Sequence, residues 1–281
     1  MTLAAFAYQR PRSLAEAVEA MAEAPDARWL SGGMSLLPMM KLELAAPPAL
    51  LDLSGVEDLR GIRDEGDFLH IGAMTRHVEL ARDPAVRRDA HLASLAAERI
   101  GDPQVRNRGT VGGSLAHADP AADLPAALLA LDAEVEAVSA RGRRALSVQD
   151  LLLGPMMTAL EPDELIVAIR IPKHTGHRQA YTKVPHPASG YAVVGVAVAI
   201  HEEGGRVRQA AIAVTGVALK AFRAARAEAV LAGQAVDQEV LAEAAGLVCD
   251  GQDVLGDVYA SAAYRRQLAQ VVTRRTLEGL R

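Results

Sequence analysis

The chain has 281 residues, half of them hydrophobic but only 3% aromatic, and a formal net charge of −5. This length supports a sizeable core and two domains, and the mixed-sign charges exclude the clustered basic face of a nucleic-acid binder. A single cysteine, Cys249, excludes an internal disulfide, a cysteine-based zinc site and an iron–sulfur cluster on four thiolates. It lies in an apolar helical stretch and reads as a buried, inert thiol. The N-terminus has no basic lead and no sustained apolar core, so no signal peptide is read there. The longest apolar window, 191–200, is strand-sized rather than membrane-spanning, and a soluble cytoplasmic protein is expected.

In chain order, residues 13–23 place apolar side chains at helical spacing, with Ser13 as the N-cap. Residues 28–30 form a short strand that runs into a first glycine pair, Leu30-Ser31-Gly32-Gly33-Met34-Ser35. Pro38 and Pro47-Pro48 keep the next elements short. Strands are predicted at 50–53 and 68–73, and helices at 75–82 and 91–100, the latter ended by Gly101-Asp102-Pro103. Residues 105–111 lead into a second glycine-pair loop, from Thr110 through Gly112, Gly113 and Ser114 to His117, Asp119 and Asp123. A helix at 123–131, a strand at 133–139, a short helix at 148–153 and a strand at 164–171 come next. The polar stretch 172–177 reads as a linker. Beyond it, strands at 180–184, 192–201 and 206–214 form an antiparallel meander, succeeded by helices at 221–232, 237–248 and 261–280. The order predicts mixed α/β structure for about 170 residues, followed by a smaller α+β unit, with a boundary near 173–178.

The two glycine pairs carry the chemistry. Glycine admits φ > 0 and has no Cβ, so consecutive amides can point at one anion. Two such segments some eighty residues apart, in a chain without GxGxxG, predict a pyrophosphate held from both sides by backbone amides. Ser31 and Ser35 would add hydroxyl donors on one side, Thr110 and Ser114 on the other. Asp123 is either a helix N-cap or an acceptor for a ribityl or ribose hydroxyl. His117 and Asp119 lack a third partner for a metal site. Lys183 and His186 open the second domain, and a crevice between domains is a common cofactor site. Lys183 also reads as a plain solvated strand residue. Nothing resembles a nucleophilic triad, so no catalytic side chain is assigned.

Five stretches together resemble the flavin-binding medium subunits of the molybdenum hydroxylases, the group of carbon monoxide dehydrogenase and xanthine dehydrogenase. They are Ser31-Gly-Gly-Met-Ser-Leu-Leu-Pro-Met-Met-Lys-Leu42, Ile71-Gly-Ala-Met-Thr75, Arg108-Gly-Thr-Val-Gly-Gly-Ser114 with Asp119-Pro-Ala-Ala-Asp123, Glu161-Pro-Asp-Glu-Leu165, and Ser261-Ala-Ala-Tyr-Arg-Arg-Gln-Leu268. The likeness runs nearly end to end. It implies an α+β protein whose residues 1–174 form a vanillyl-alcohol-oxidase, or PCMH-type, FAD-binding fold of two α/β subdomains, roughly 1–55 and 56–174. A C-terminal domain of a three-stranded antiparallel sheet and helices, residues 175–281, would complete the chain.

The resemblance further implies noncovalent FAD. Leu30, Ser31, Gly32, Gly33, Met34 and Ser35 would line its pyrophosphate, as would Thr110, Gly112, Gly113 and Ser114. Asp123 would take a cofactor hydroxyl, Leu160 would pack near the flavin, and Lys183 and Tyr191 would stand by the ring. Relatives often carry His or Gln where this chain has Met34; a main-chain contact would tolerate the change and a side-chain hydrogen bond would not. Ser114 replaces an Asn or Asp of some relatives. A large molybdopterin subunit and a small [2Fe–2S] subunit are implied as partners, in a dimer of heterotrimers. Electrons would pass from molybdenum through the clusters to FAD and an external acceptor. Other readings are a flavin-free scaffold subunit and a stand-alone flavin oxidase, for whose substrate domain this length leaves little room.

Overall fold

A computed structural model describes residues 3–280. The first unit is a small parallel sheet. Strands β1 (Ala7–Gln9), β2 (Arg28–Leu30) and β3 (Ala49–Asp52) lie in the order β1-β3-β2. Helix α1 (Leu14–Glu23) buries Ala17, Ala20 and Met21, and Ser13 caps it by accepting from the Glu16 amide. The short helix α2 (Leu36–Lys41) comes directly after the first glycine pair.

The second unit is a five-stranded antiparallel sheet of β4 (Ile62–Glu65), β5 (Phe68–Gly72), β6 (Glu134–Ser139), β7 (Gly142–Ser147) and, once the chain returns, Leu165–Pro172 at its centre. Between β5 and β6 run six helices: α3 (His77–Arg82), α4 (Pro84–Asp89), α5 (His91–Glu98), α6 (Pro103–Arg108), α7 (Val111–His117) and α8 (Asp123–Ala130). Helices α4 and α6 are additions to the elements expected from sequence. Each opens on an Asp-Pro pair in which the aspartate caps the helix and the proline takes its first position. One face of the sheet, through Leu69, Ile71, Val135 and Ile169, packs on Leu80, Leu92, Leu115 and Leu128 of these helices. The other, through Val138, Leu165 and Val167, meets Ala17, Leu53 and Trp29 of the first unit.

After β7, α9 (Val148–Leu151) and the small hairpin β8 (Leu152–Gly154) and β9 (Met157–Thr158) precede the central strand, β10. The C-terminal unit has the three long antiparallel strands expected, β11 (Arg178–Pro185), β12 (Ala192–Glu203) and β13 (Arg206–Thr215). A two-residue strand, β14 (Phe222–Arg223), is added at its edge. Helices α10 (Ala225–Leu231), α11 (Gln238–Gly246) and α12 (Ala262–Glu278) cover one face.

Strand β12 is buried on both faces, and its side chains sort by size. Val194, Val196, Val198 and Ile200 join Leu231, Leu241, Val272 and Leu277 in one core. Ala197 and Ala199, with Ala211 and Ala213 of β13, join the core that holds Leu124 and Leu128 of α8. Small residues on one side of the sheet let α8 come close, because closer approach buries more apolar area with no side chain in the way. No helix among the described residues is long and apolar enough to cross a membrane.

Candidate functional site

Strand β2 ends at Leu30, and the Trp29 indole fixes its line by donating to the Glu164 carbonyl oxygen, 3.1 Å away, in the second unit. Gly33 has φ +75° and turns the chain into α2. No backbone carbonyl among the described residues accepts from the amides of Gly32, Gly33, Met34 or Ser35. Donors with no protein acceptor at a cleft wall are free for a ligand, so a run of four is a ready anion-binding edge.

The second glycine pair differs. It is not a loop but the first turn of α7, capped by Thr110. Its amides are already spent: Gly112 donates to the Ala73 oxygen (2.9 Å), Gly113 to Thr110 Oγ1 (3.1 Å) and Ser114 to the Thr110 oxygen (3.0 Å). The expectation of amide runs on both sides is therefore corrected: only the first segment presents one.

What the glycines of the second segment supply is proximity. A Cβ on Gly112 would sit 2.6 Å from Ala73 Cβ, and one on Gly32 would overlap the Arg108 carbonyl oxygen. The segments are thus in backbone contact. Hydroxyls clasp them: Ser31 Oγ lies 2.6 Å from Thr110 Oγ1 and donates to Met74 Sδ at 2.9 Å. The proton between the two hydroxyls is then that of Thr110, whose oxygen also accepts from Gly113. Two of the four hydroxyls expected to face a cofactor, those of Ser31 and Thr110, are spent on holding the walls together.

Around this clasp opens a cavity of about 1250 Å³, larger than the usual range for small-molecule sites, roughly 300–1,000 Å³. Of the residues proposed from sequence, Ser31 to Ser35, Thr110, Gly112, Gly113, Ser114, Asp123, Leu160 and Tyr191 line it. Leu30 and Lys183 are not among its lining residues. Asp123 is the first residue of α8 rather than its cap, which is Ala122. Its carboxylate is buried, with Oδ1 accepting from the Tyr181 hydroxyl (2.5 Å) and Oδ2 from Lys183 Nζ (2.7 Å). Neither sequence alternative for Asp123 anticipates these partners, and Lys183 is no solvated strand residue: its side chain is 4% exposed. Burial pushes the Asp123 carboxyl up, against the charge and hydrogen bond of Lys183 and the hydrogen bond of Tyr181.

Tyr191 comes to the cavity from the C-terminal unit. Burial and the charges of Asp119 and Asp123 push its phenol up, while the Ser35 hydroxyl beside it pulls the other way. His117 and Asp119 also line the cavity, but no group of three metal-ligating side chains occurs among the described residues. His186 turns instead to Tyr259, ring centroids 4.4 Å apart.

Two residues of the site are not singled out by the sequence reading. His77 lines the cavity while almost fully buried, and burial pulls its imidazole down to about 4. Tyr181 lies two positions before Lys183 on β11, hence on the same face; strand alternation is the signal that points to it.

Comparison with known proteins agrees with this geometry. Residues 4–174 match the family described as FAD binding domain in molybdopterin dehydrogenase, and residues 179–280 match the CO dehydrogenase flavoprotein C-terminal domain. The chain is 39% identical to the carbon monoxide dehydrogenase medium chain of Hydrogenophaga pseudoflava, over 97% of this chain and 96% of that one. It is 36% identical to the nicotine 6-hydroxylase medium subunit of Paenarthrobacter nicotinovorans, over 99% and 98%. A solved structure of the Hydrogenophaga pseudoflava carbon monoxide dehydrogenase superposes with a TM-score of 0.96 at 40% identity, covering 99% of this chain and 98% of that one. The PCMH-type fold and flavoprotein C-terminal domain expected from the motifs are those of these relatives. The chain belongs to the FAD-binding medium subunits of the molybdenum hydroxylases, and is an oxidoreductase subunit.

Proposed function

We propose that this chain holds FAD noncovalently in the cavity between its two glycine pairs and relays electrons from a partner's iron–sulfur clusters to an external acceptor. The observation that carries this reading is the run of unpaired amides from Gly32 to Ser35 at the wall of a cavity large enough for a dinucleotide. Uncharged donors fixed by the backbone suit a diphosphate because they cost no reorganisation on binding. Met34 is consistent with that mode, since the main chain makes the contact.

When bound, the flavin supplies the redox chemistry; the protein supplies binding, orientation and electrostatics. Here the clasp of Ser31 on Thr110 sets the width of the diphosphate site. Ser114, Leu160 and Tyr191 line the rest, and Asp123 offers its remaining lone pairs to a hydroxyl or ring N–H. Residues 1–174 would carry the cofactor and residues 175–281 would close over it. Cys249, buried in the C-terminal core, takes no part. The partners would be a large molybdopterin subunit and a small [2Fe–2S] subunit, in a dimer of heterotrimers.

The test is to purify the chain with its co-expressed partners, strip the flavin and titrate FAD back, following the visible spectrum. Stoichiometric uptake, and bleaching on addition of the holoenzyme's substrate, are expected. A complex that is flavin-free as isolated and refuses added FAD would overturn the reading.

A further inference from the structure

The C-terminal unit reaches the cofactor cavity through one buried carboxylate. Strand β11 presents Tyr181 and Lys183 on the same face, one donating to each oxygen of Asp123 across the boundary between the units. Lys183 also donates to the Arg99 carbonyl oxygen, 2.9 Å away, which fixes the ammonium. Asp123 itself lines the cavity and is 4% exposed.

One feature makes room for the tyrosine contact, and another holds the backbone beside it. A Cβ at Gly195, on the neighbouring strand β12, would overlap the Tyr181 hydroxyl, so the strand leaves a gap through which the phenol reaches α8. The peptide before Asp123 is held by the same unit. The Thr215 hydroxyl lies 2.8 Å from both the Pro120 and Ala122 carbonyl oxygens, Gly216 donates to Pro120 at 2.8 Å, and Ala192 donates to Ala121 at 3.2 Å. Backbone and carboxylate are therefore both set by residues 181–216. A plain packing interface would need the alanine faces alone.

We propose that Tyr181 is a positioning residue, which with the gap at Gly195 aims the Asp123 carboxylate into the cofactor cavity, so that docking of the C-terminal unit completes the FAD site. This rests on the FAD reading above and names how one of its contacts is built. Tyr181 touches no cofactor. It acts through Asp123, and Y181F removes the hydroxyl while keeping the ring that fills the core.

The experiment compares wild type, Y181F, D123N and the Y181F/D123N double variant, each in the purified complex. FAD affinity is titrated on deflavinated protein, and thermal midpoints are measured without flavin. Y181F should lose about tenfold in FAD affinity, the usual worth of one hydrogen bond to a charged group. In the D123N background it should change affinity no further, because both act at one point. Gly195→Ala, which pushes the hydroxyl aside without deleting it, should reproduce the Y181F loss.

Equal affinity in Y181F and wild type, or a Y181F loss that persists undiminished in D123N, would overturn the positioning role while leaving the FAD reading intact. Wild-type protein that takes up no FAD would overturn both. Should Y181F fail to fold, Gly195→Ala titrated in a Thr215→Ser background decides, because a Cβ at 195 also meets Thr215 Cγ2 at 2.8 Å and the serine removes that clash while keeping the hydroxyl.

Discussion

The two glycine pairs look alike in sequence and do opposite work. At Gly32–Gly33 the chain leaves four amides without backbone acceptors; at Gly112–Gly113 the amides are consumed by Ala73 and Thr110. On the FAD reading proposed above, the first segment would be the grip and the second the surface against which the grip is pressed. Even within the first pair the roles divide, Gly32 for contact with Arg108 and Gly33 for its positive φ. A Gly-Gly motif thus announces close backbone approach, and whether the neighbour is a ligand or another strand of the same protein is decided by where the amides go.

The largest effect should come from Gly32→Ala. Its Cβ meets backbone rather than a movable side chain, so the clasp must open, costing about 3 kcal/mol of stability and FAD binding with it. Chemical unfolding and a flavin titration check this; a stable variant that binds FAD normally would mean that the two segments need not touch.

Acid should destabilise the fold, in part through the second segment. His77 packs under Gly109, where a Cβ would lie 2.8 Å from its Cδ2. Folded His77 gains its proton only near pH 4, the unfolded chain near 6.5, so the folded state binds fewer protons. Stability is therefore full above pH 6.5 and is lost as pH falls through 4, by on the order of 3 kcal/mol. Burial and the neighbouring His177 lower His174 in the same direction. Urea unfolding across that range should show the slope, reduced in H77N.

Gly33→Ala should cost roughly 1–2 kcal/mol for its left-handed backbone and weaken FAD while leaving the Ser31–Thr110 clasp in place. The smallest change is Ser31→Ala, which removes the hydroxyl that meets Thr110 Oγ1 between the segments, for about 1 kcal/mol. A double-mutant cycle with Thr110→Val, which also deletes the Gly113 cap, should return most of the Ser31→Ala loss as coupling; additive losses would show that the hydroxyls act separately.

Local chemistry makes much of the fold legible. Ser13 caps its helix as its position implies, the strand at Arg28–Leu30 falls on the expected residues, and the linker of Pro172 to His177 separates the second sheet from the third. Helices α4 and α6 escape a reading in which Asp-Pro serves only as a stop, although aspartate before proline is also a start signal. The site is legible as a set of residues and less so as a set of contacts. Spacing cannot reveal that Ser31 and Thr110 bind each other, that Gly195 opposite Lys183 makes room for Tyr181, or that Asp123 pairs across the boundary between the units. Each depends on how separately folded sheets meet.

The most direct measurement is a density map of the FAD-loaded complex. The diphosphate should lie against the amides of Gly32 to Ser35, with the Gly112 and Gly113 amides still bonded to Ala73 and Thr110. A diphosphate seated elsewhere, with those four amides facing solvent, would contradict the assignment of the first glycine pair as the grip.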